Sequence, residues 1–187
     1  MDTNTLSILD NDELLCLTRW NLDQGHFGDA LVAAKHLLSR KDTPIEAYRL
    51  GAKIYAQLGL LTQAKNAFKT FIEHSPDALT EVFQYGMVHF DSGDSDNAVK
   101  IWKEVLDKET TYPPALFYSA LALANQNKAN ESLRYLDVLI KSAPADNLYF
   151  ERGRELIKAI EKNQKAPISE DADEQRKLDK YKSSDDR

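Results

Sequence analysis

Apolar residues return at spacings of three and four along most of this chain, with polar residues gathered at the bends between. After the acidic run DSGDSDN, residues 91 to 97, they stand at Ala98, Ile101, Trp102, Val105 and Leu106. In 147–163 they stand at Phe150, Gly153, Ile157 and Ile160, while Glu151, Arg154, Glu155 and Lys158 take the opposite face. This is the period of a helix and not of a strand. The pattern predicts a helical chain. The stretch before the acidic run carries two stripes. Val82, Tyr85, Gly86 and His89 form one, and Phe83, Met87 and Phe90 form another. A helix apolar on two sides is either buried on both or binds something. Both readings stand at this point.

The helices repeat. Gly25, Gly59 and Gly93 are each 34 residues apart, and Asn127 takes the next place. Glycine and asparagine are the residues that best tolerate a left-handed backbone, so bends are predicted at all four. Five residues later stand Ala30, Ala64, Ala98 and Ser132; seven residues earlier stand Thr18, Ala52, Gly86 and Ala120. Leu37, Phe71, Val105 and Leu139 share a bulky column, and Phe68, Trp102 and Leu136 share another, with Ala34 as its small member. Small columns let two helices approach closely, and large ones fill the space to the next pair.

A fixed period of 34 with two helices per unit is the signature of tetratricopeptide repeats. The chain resembles that family at the residues that carry the motif. The stretch AYRLGAKIYAQLGLLTQAKNAFKTFIEHSP, residues 47 to 76, has Tyr48, Gly51, Ala52, Tyr55, Gly59, Ala64, Phe68 and Pro76 in place. The first unit departs from the pattern with Asn21 where the family prefers tyrosine, and the fourth lacks the turn glycine and has Ser132 for the packing alanine. The resemblance implies a right-handed α-solenoid of four helix-turn-helix units, 11–44, 45–78, 79–112 and 113–146, closed by a capping helix at 147–163. Residues 1–10 precede the repeats, where Leu6, Ile8 and Leu9 are placed to cover unit one. Residues 164–187 are mixed in charge with almost no apolar content, and are expected to form a disordered tail.

Composition narrows the chemistry. The chain has 187 residues, 42% hydrophobic and 29% charged, with a formal net charge of −6, which disfavours nucleic acid and anionic membranes as main partners. Cys16 is the only cysteine, so no internal disulfide and no zinc cluster of thiolates is expected. The start MDTNTLSILDNDELL has no basic stretch followed by an apolar run; no secretory signal and no membrane span is read, and a cytoplasmic location is expected. The acidic run fails as a calcium loop, because counting from Asp91 places Trp102 where a bidentate glutamate is required. It fails as a hydrolase nucleophile too. All four histidines, His26, His36, His74 and His89, precede Ser95, whereas the base follows the serine in that arrangement. No catalytic residue, cofactor site or metal site is assigned, and no enzyme is expected.

What remains is binding. The resemblance implies a protein-protein interaction scaffold, an adaptor or assembly factor, holding a peptide segment of a partner in a concave groove lined by the first helix of each unit. Carried over, the outward positions there include Arg19, Arg49 and Lys53 as a basic half, and Phe83, Met87, Phe90, Phe117 and Leu121 as an apolar half. His89, Cys16 and Trp20 are read as packing residues. The Lys, Asn and Arg set with which some members grip chaperone C-termini is absent, its places holding Leu15, Arg19, Leu50, Phe83 and Met87. Two alternatives are a chaperone of a secreted substrate, similar to type III secretion chaperones, and a self-assembling scaffold.

Overall fold

The computed structural model describes residues 3–162. The described residues are helical, with no strand among them. The helices are α1 Thr3–Ile8, α2 Asn11–Asp23, α3 Phe27–Leu38, α4 Ile45–Gln57, α5 Leu61–His74, α6 Leu79–Asp91, α7 Ser95–Lys108, α8 Pro113–Asn125, α9 Ala129–Ser142 and α10 Leu148–Glu161. Nine of these are the expected ones. The tenth, α1, is a short helix in the segment before the repeats. The chain gathers into two compact units that divide inside α6, between Glu81 and Val82. The charged stretch 164–187 lies outside the described residues.

The predicted bends are where the period puts them. Gly25, Gly59, Gly93 and Asn127 have φ of 72°, 73°, 82° and 61°. Each bend closes in the same way. Gly25, Gly59, Gly93 and Asn127 donate their N–H groups to the carbonyls of Leu22, Ala56, Phe90 and Ala124 at 2.9–3.0 Å. The next residues, His26, Leu60, Asp94 and Lys128, donate to Asn21, Tyr55, His89 and Leu123 at 2.8–2.9 Å. This is the paired bonding that ends a helix through one left-handed residue and satisfies its last carbonyls.

In the first unit, α2 packs on α3, α3 on α4, and α4 on α5. Asp10 and Glu13 form a reciprocal cap at the start of α2, with bonds of 2.8 and 2.9 Å, which fixes the helix start. Leu6 of α1 is fully buried with Leu14, Ala33, Leu37 and Ala47. Ile8 is 80% exposed, so only part of the N-terminal segment covers the repeats as expected. Asn21, in the place of the usual tyrosine, is buried and donates its side-chain N–H to the Leu17 carbonyl at 2.9 Å.

In the second unit, α7 packs on α8, α8 on α9, and α10 on both α8 and α9. The small columns are contact surfaces. An added Cβ at Gly86 would lie 2.6 Å from Trp102 Cδ1, and one at Gly153 would lie 3.0 Å from Leu139 Cδ2. Ser132 is tolerated in the alanine column because its hydroxyl donates to the Ala120 carbonyl at 2.7 Å. A buried hydroxyl is costly only when it lacks such an acceptor. Helix α10 buries Gly153 and Leu156 and leaves Glu151, Arg154, Glu155 and Lys158 open to solvent.

Candidate functional site

The expected basic residues form a connected ladder in the first unit. Arg19 of α2 lies 3.1 Å from Glu46 Oε1. Glu46, at the start of α4, also holds Arg49 through both carboxylate oxygens, with Nε at 2.8 Å from Oε2. Arg49 Nη1 reaches Glu81 at 3.4 Å, and Lys53 Nζ reaches the same Glu81 Oε1 at 3.4 Å. Arg49 and Lys53 share a face of α4 because they are four residues apart. Three cations thus share two carboxylates, leaving one surplus positive charge.

Burial grades along the ladder. The side chain of Arg19 is 52% exposed, that of Arg49 is 22% exposed and that of Lys53 only 2%. Burial pushes the Lys53 ammonium below its ordinary pKa; Arg49 adds repulsion, and Glu81 only partly offsets both. Its Nζ has no hydrogen bond of good geometry to any group. Burial alone would raise the Glu46 carboxyl, but the bonds and charge of Arg49, and then Arg19, outweigh it and hold it low. The Arg49 guanidinium is raised by its bond to Glu46, against the effect of burial.

Arg19 and Arg49 keep some exposure while paired with carboxylates, whereas Lys53, read as an outward position, is a core residue. Sequence reading missed Glu46 and Glu81. The signal for Glu46 is the step of three residues to Arg49 and of four more to Lys53 along one helix. Glu81, on α6, had no such local cue.

The apolar positions are corrected as well. Phe83, Met87, Phe90 and Phe117 are 6%, 0%, 9% and 8% exposed, so they do not stand open to solvent. Their neighbours account for it. Phe83 stacks on Trp102 at 6.1 Å between ring centroids and meets Tyr112 and Tyr118 edgewise or tilted. Phe90 meets Trp102 at 5.7 Å. Phe117 packs between Tyr118 at 5.3 Å and Tyr149 at 5.6 Å. The Trp102 indole donates to the Phe83 carbonyl at 3.1 Å. The two-stripe helix is therefore buried on both sides. Leu121 is half-buried and keeps an open edge.

His89 packs as read, half-buried, edge-on to Tyr85 and 2.9 Å from Asp94 Oδ2 through Nδ1. Asp94 is the N-cap of α7 and accepts from Asn97; the acidic run is a helix-helix bend. Cys16 and Trp20 depart from the reading. Both are exposed, Trp20 by 56%.

No helix among the described residues is long and apolar enough to cross a membrane. The family model for a tetratricopeptide repeat matches residues 114–146, the unit in which asparagine replaces the turn glycine. No curated protein sequence matches the chain. Among solved structures, MamA protein superposes with a TM-score of 0.67 at 19% identity, covering 71% of this chain and 72% of its own. A thermophilic tetratricopeptide protein of Thermus thermophilus gives 0.63 at 24% identity, with 80% and 82% covered. YrrB, described as a tetratricopeptide protein with an unusual peptide-binding site, gives 0.66 at 16% identity, with 92% and 84% covered. These likenesses are of fold. With one unit matched by the family's own model and four left-handed bends at its period, the chain has the fold of a tetratricopeptide repeat solenoid.

Proposed function

We propose that the chain is a non-catalytic scaffold that binds a segment of a partner protein along the inner faces of its first helices. The observation that carries this reading is the ladder in the first unit. Three cations facing two carboxylates leave a charge that an acidic side chain of a partner would balance, and Arg19 and Arg49 are the members within its reach. Lys53 does not touch the partner; it keeps Glu81 engaged and so leaves Arg49 less fully paired. In the second unit Leu121 offers an apolar edge of its own. Phe83, Met87, Phe90 and Phe117 serve the core.

A likeness to a protein described as having a peptide-binding site supports this reading in kind, without naming the ligand. A photo-crosslinking residue placed at Leu15, one turn before Arg19 on α2, tests it. It should capture a partner from native lysate, and Arg19→Glu should abolish that capture in low salt while the fold is retained. Exposed ion pairs are worth about 0–1 kcal/mol each and weaken with salt, so charge reversal rather than truncation is the informative change. Capture that is indifferent to Arg19→Glu would count against the ladder as the binding surface.

A further inference from the structure

The outer face of α2 is an apolar surface that the described residues leave uncovered. Leu9, Glu13, Cys16, Leu17 and Trp20 line a shallow hollow of about 480 Å³. Leu9 and Leu17 form its floor, since both back onto the buried cluster of Leu6, Leu14 and Leu37. Trp20 stands at its edge, 56% exposed, with the His26 ring against it at 5.8 Å. Helix α1 packs on α3 and buries Leu6 beside Leu14, and carries Ile8 outward at 80% exposure.

Helix α2 presents a tryptophan and an exposed thiol on this face. A partly exposed tryptophan beside apolar neighbours is the kind of side chain that anchors a binding partner.

The rim says what kind. Glu13 lines the hollow; Asp12, four residues before Cys16, and Asp23, three after Trp20, are exposed one helical turn from it, and Arg19, the only cation of α2, is turned to Glu46. A second copy meeting this face symmetrically would oppose the same acids across the contact, as a two-fold interface requires. An anionic lipid surface is repelled for the same reason. We infer that this face of the first unit docks a basic amphipathic helix of another protein, with apolar side chains in the hollow and Lys or Arg beside Asp12, Glu13 and Asp23. It is separate from the charged ladder and binds independently of it.

The full chain is titrated with a synthetic Leu/Lys amphipathic peptide and with its Leu/Glu counterpart, reading tryptophan emission. Trp102 is fully buried, so a change reports Trp20. The Leu/Lys peptide should shift emission to shorter wavelength, and the Leu/Glu peptide should not. Cys16→Glu should weaken the Leu/Lys peptide about tenfold or more, although it makes the protein more acidic. Asp23→Lys should weaken it too, at a helix C-terminus where a lysine suits the helix dipole and the fold is kept. Both variants are checked by circular dichroism. The inference is overturned if the Leu/Lys peptide does not bind, if Trp20 emission stays unchanged on binding, or if Cys16→Glu binds as tightly as the parent. It is also overturned if the free chain self-associates through this face, seen as concentration-dependent burial of Trp20 that Cys16→Glu removes.

Discussion

A methyl group added at Gly86 would lie 2.6 Å from Trp102 Cδ1, and the indole it displaces holds a hydrogen bond to the Phe83 carbonyl. Gly86→Ala should therefore destabilise the protein by about 1–3 kcal/mol, the usual result of overpacking. Gly28, near the start of α3, has nothing within 4 Å of the same added atom. Gly28→Ala should stabilise by about 0.4–1 kcal/mol through the unfolded chain. Denaturant titration of the two variants should give opposite signs; equal signs would refute the packing account. Phe83→Ala should cost about 3–5 kcal/mol whether or not a partner is present, because its ring is a core group. Acid titration probes a second site. Asn97 first, and then His89, hold the Asp94 carboxyl at about 2, against an ordinary 3.8. A folded value below the unfolded one gives stability that is present above the unfolded value and lost as pH falls through the folded one. The stability of the parent minus that of Asp94→Asn should thus decline between pH 3.8 and about 2. A flat difference there would remove Asp94 from the account.

Helices α2, α4 and the start of α6 are joined in the first unit by Arg19, Glu46, Arg49, Glu81 and Lys53, and the surplus cation of that set makes its two ends respond differently. Lys53→Met removes a buried charge and leaves two cations on two carboxylates. It should be neutral or stabilising, as replacement of buried ions by apolar groups often is. Glu81→Gln instead strands Lys53 without its counter-ion and should cost about 3–5 kcal/mol. If both variants lose stability equally, Lys53 is not the surplus member. The same helices show what was legible in sequence. The period of 34 located the four bends at Gly25, Gly59, Gly93 and Asn127, because a left-handed residue and two small columns are local needs that recur with each pair of helices. The facing of α6 was not legible. Phe83, Met87 and Phe90 have the spacing of a stripe, but a stripe looks the same whether solvent or Trp102 stands opposite. Pairing of Arg49 with Glu81 is equally silent, since the partner lies on another helix 32 residues on. Trp20 misled in the opposite sense, being large and apolar yet 56% exposed.

Over the whole chain the two compact units draw on different cores. The first relies on Ala30, Ala33, Ala34, Ala47, Ala52, Ala64 and Ala67 with a few leucines, has Phe68 and Phe71 as its buried phenylalanines, and also buries Lys53 and Glu81. The second buries Trp102, Phe83, Phe90, Phe117 and Tyr118, and their rings form one connected cluster. Each such ring removes far more apolar surface from water than an alanine does, and stability follows that area at about 25 cal/mol per Å². Repeat proteins unfold as sums of local and neighbour terms, so unequal segments need not melt together. The second unit should accordingly persist to higher denaturant than the first. Trp20→Phe isolates the question, since it leaves Trp102 as the sole tryptophan and changes an exposed side chain at little cost. In that variant the fluorescence of Trp102 should report the second unit alone, while circular dichroism averages both. The fluorescence midpoint should lie above the dichroism midpoint, and Lys53→Met added to Trp20→Phe should narrow the gap by stabilising the first unit. Coincident transitions by both probes would show a single cooperative unit and end the claim that the core compositions set separate stabilities.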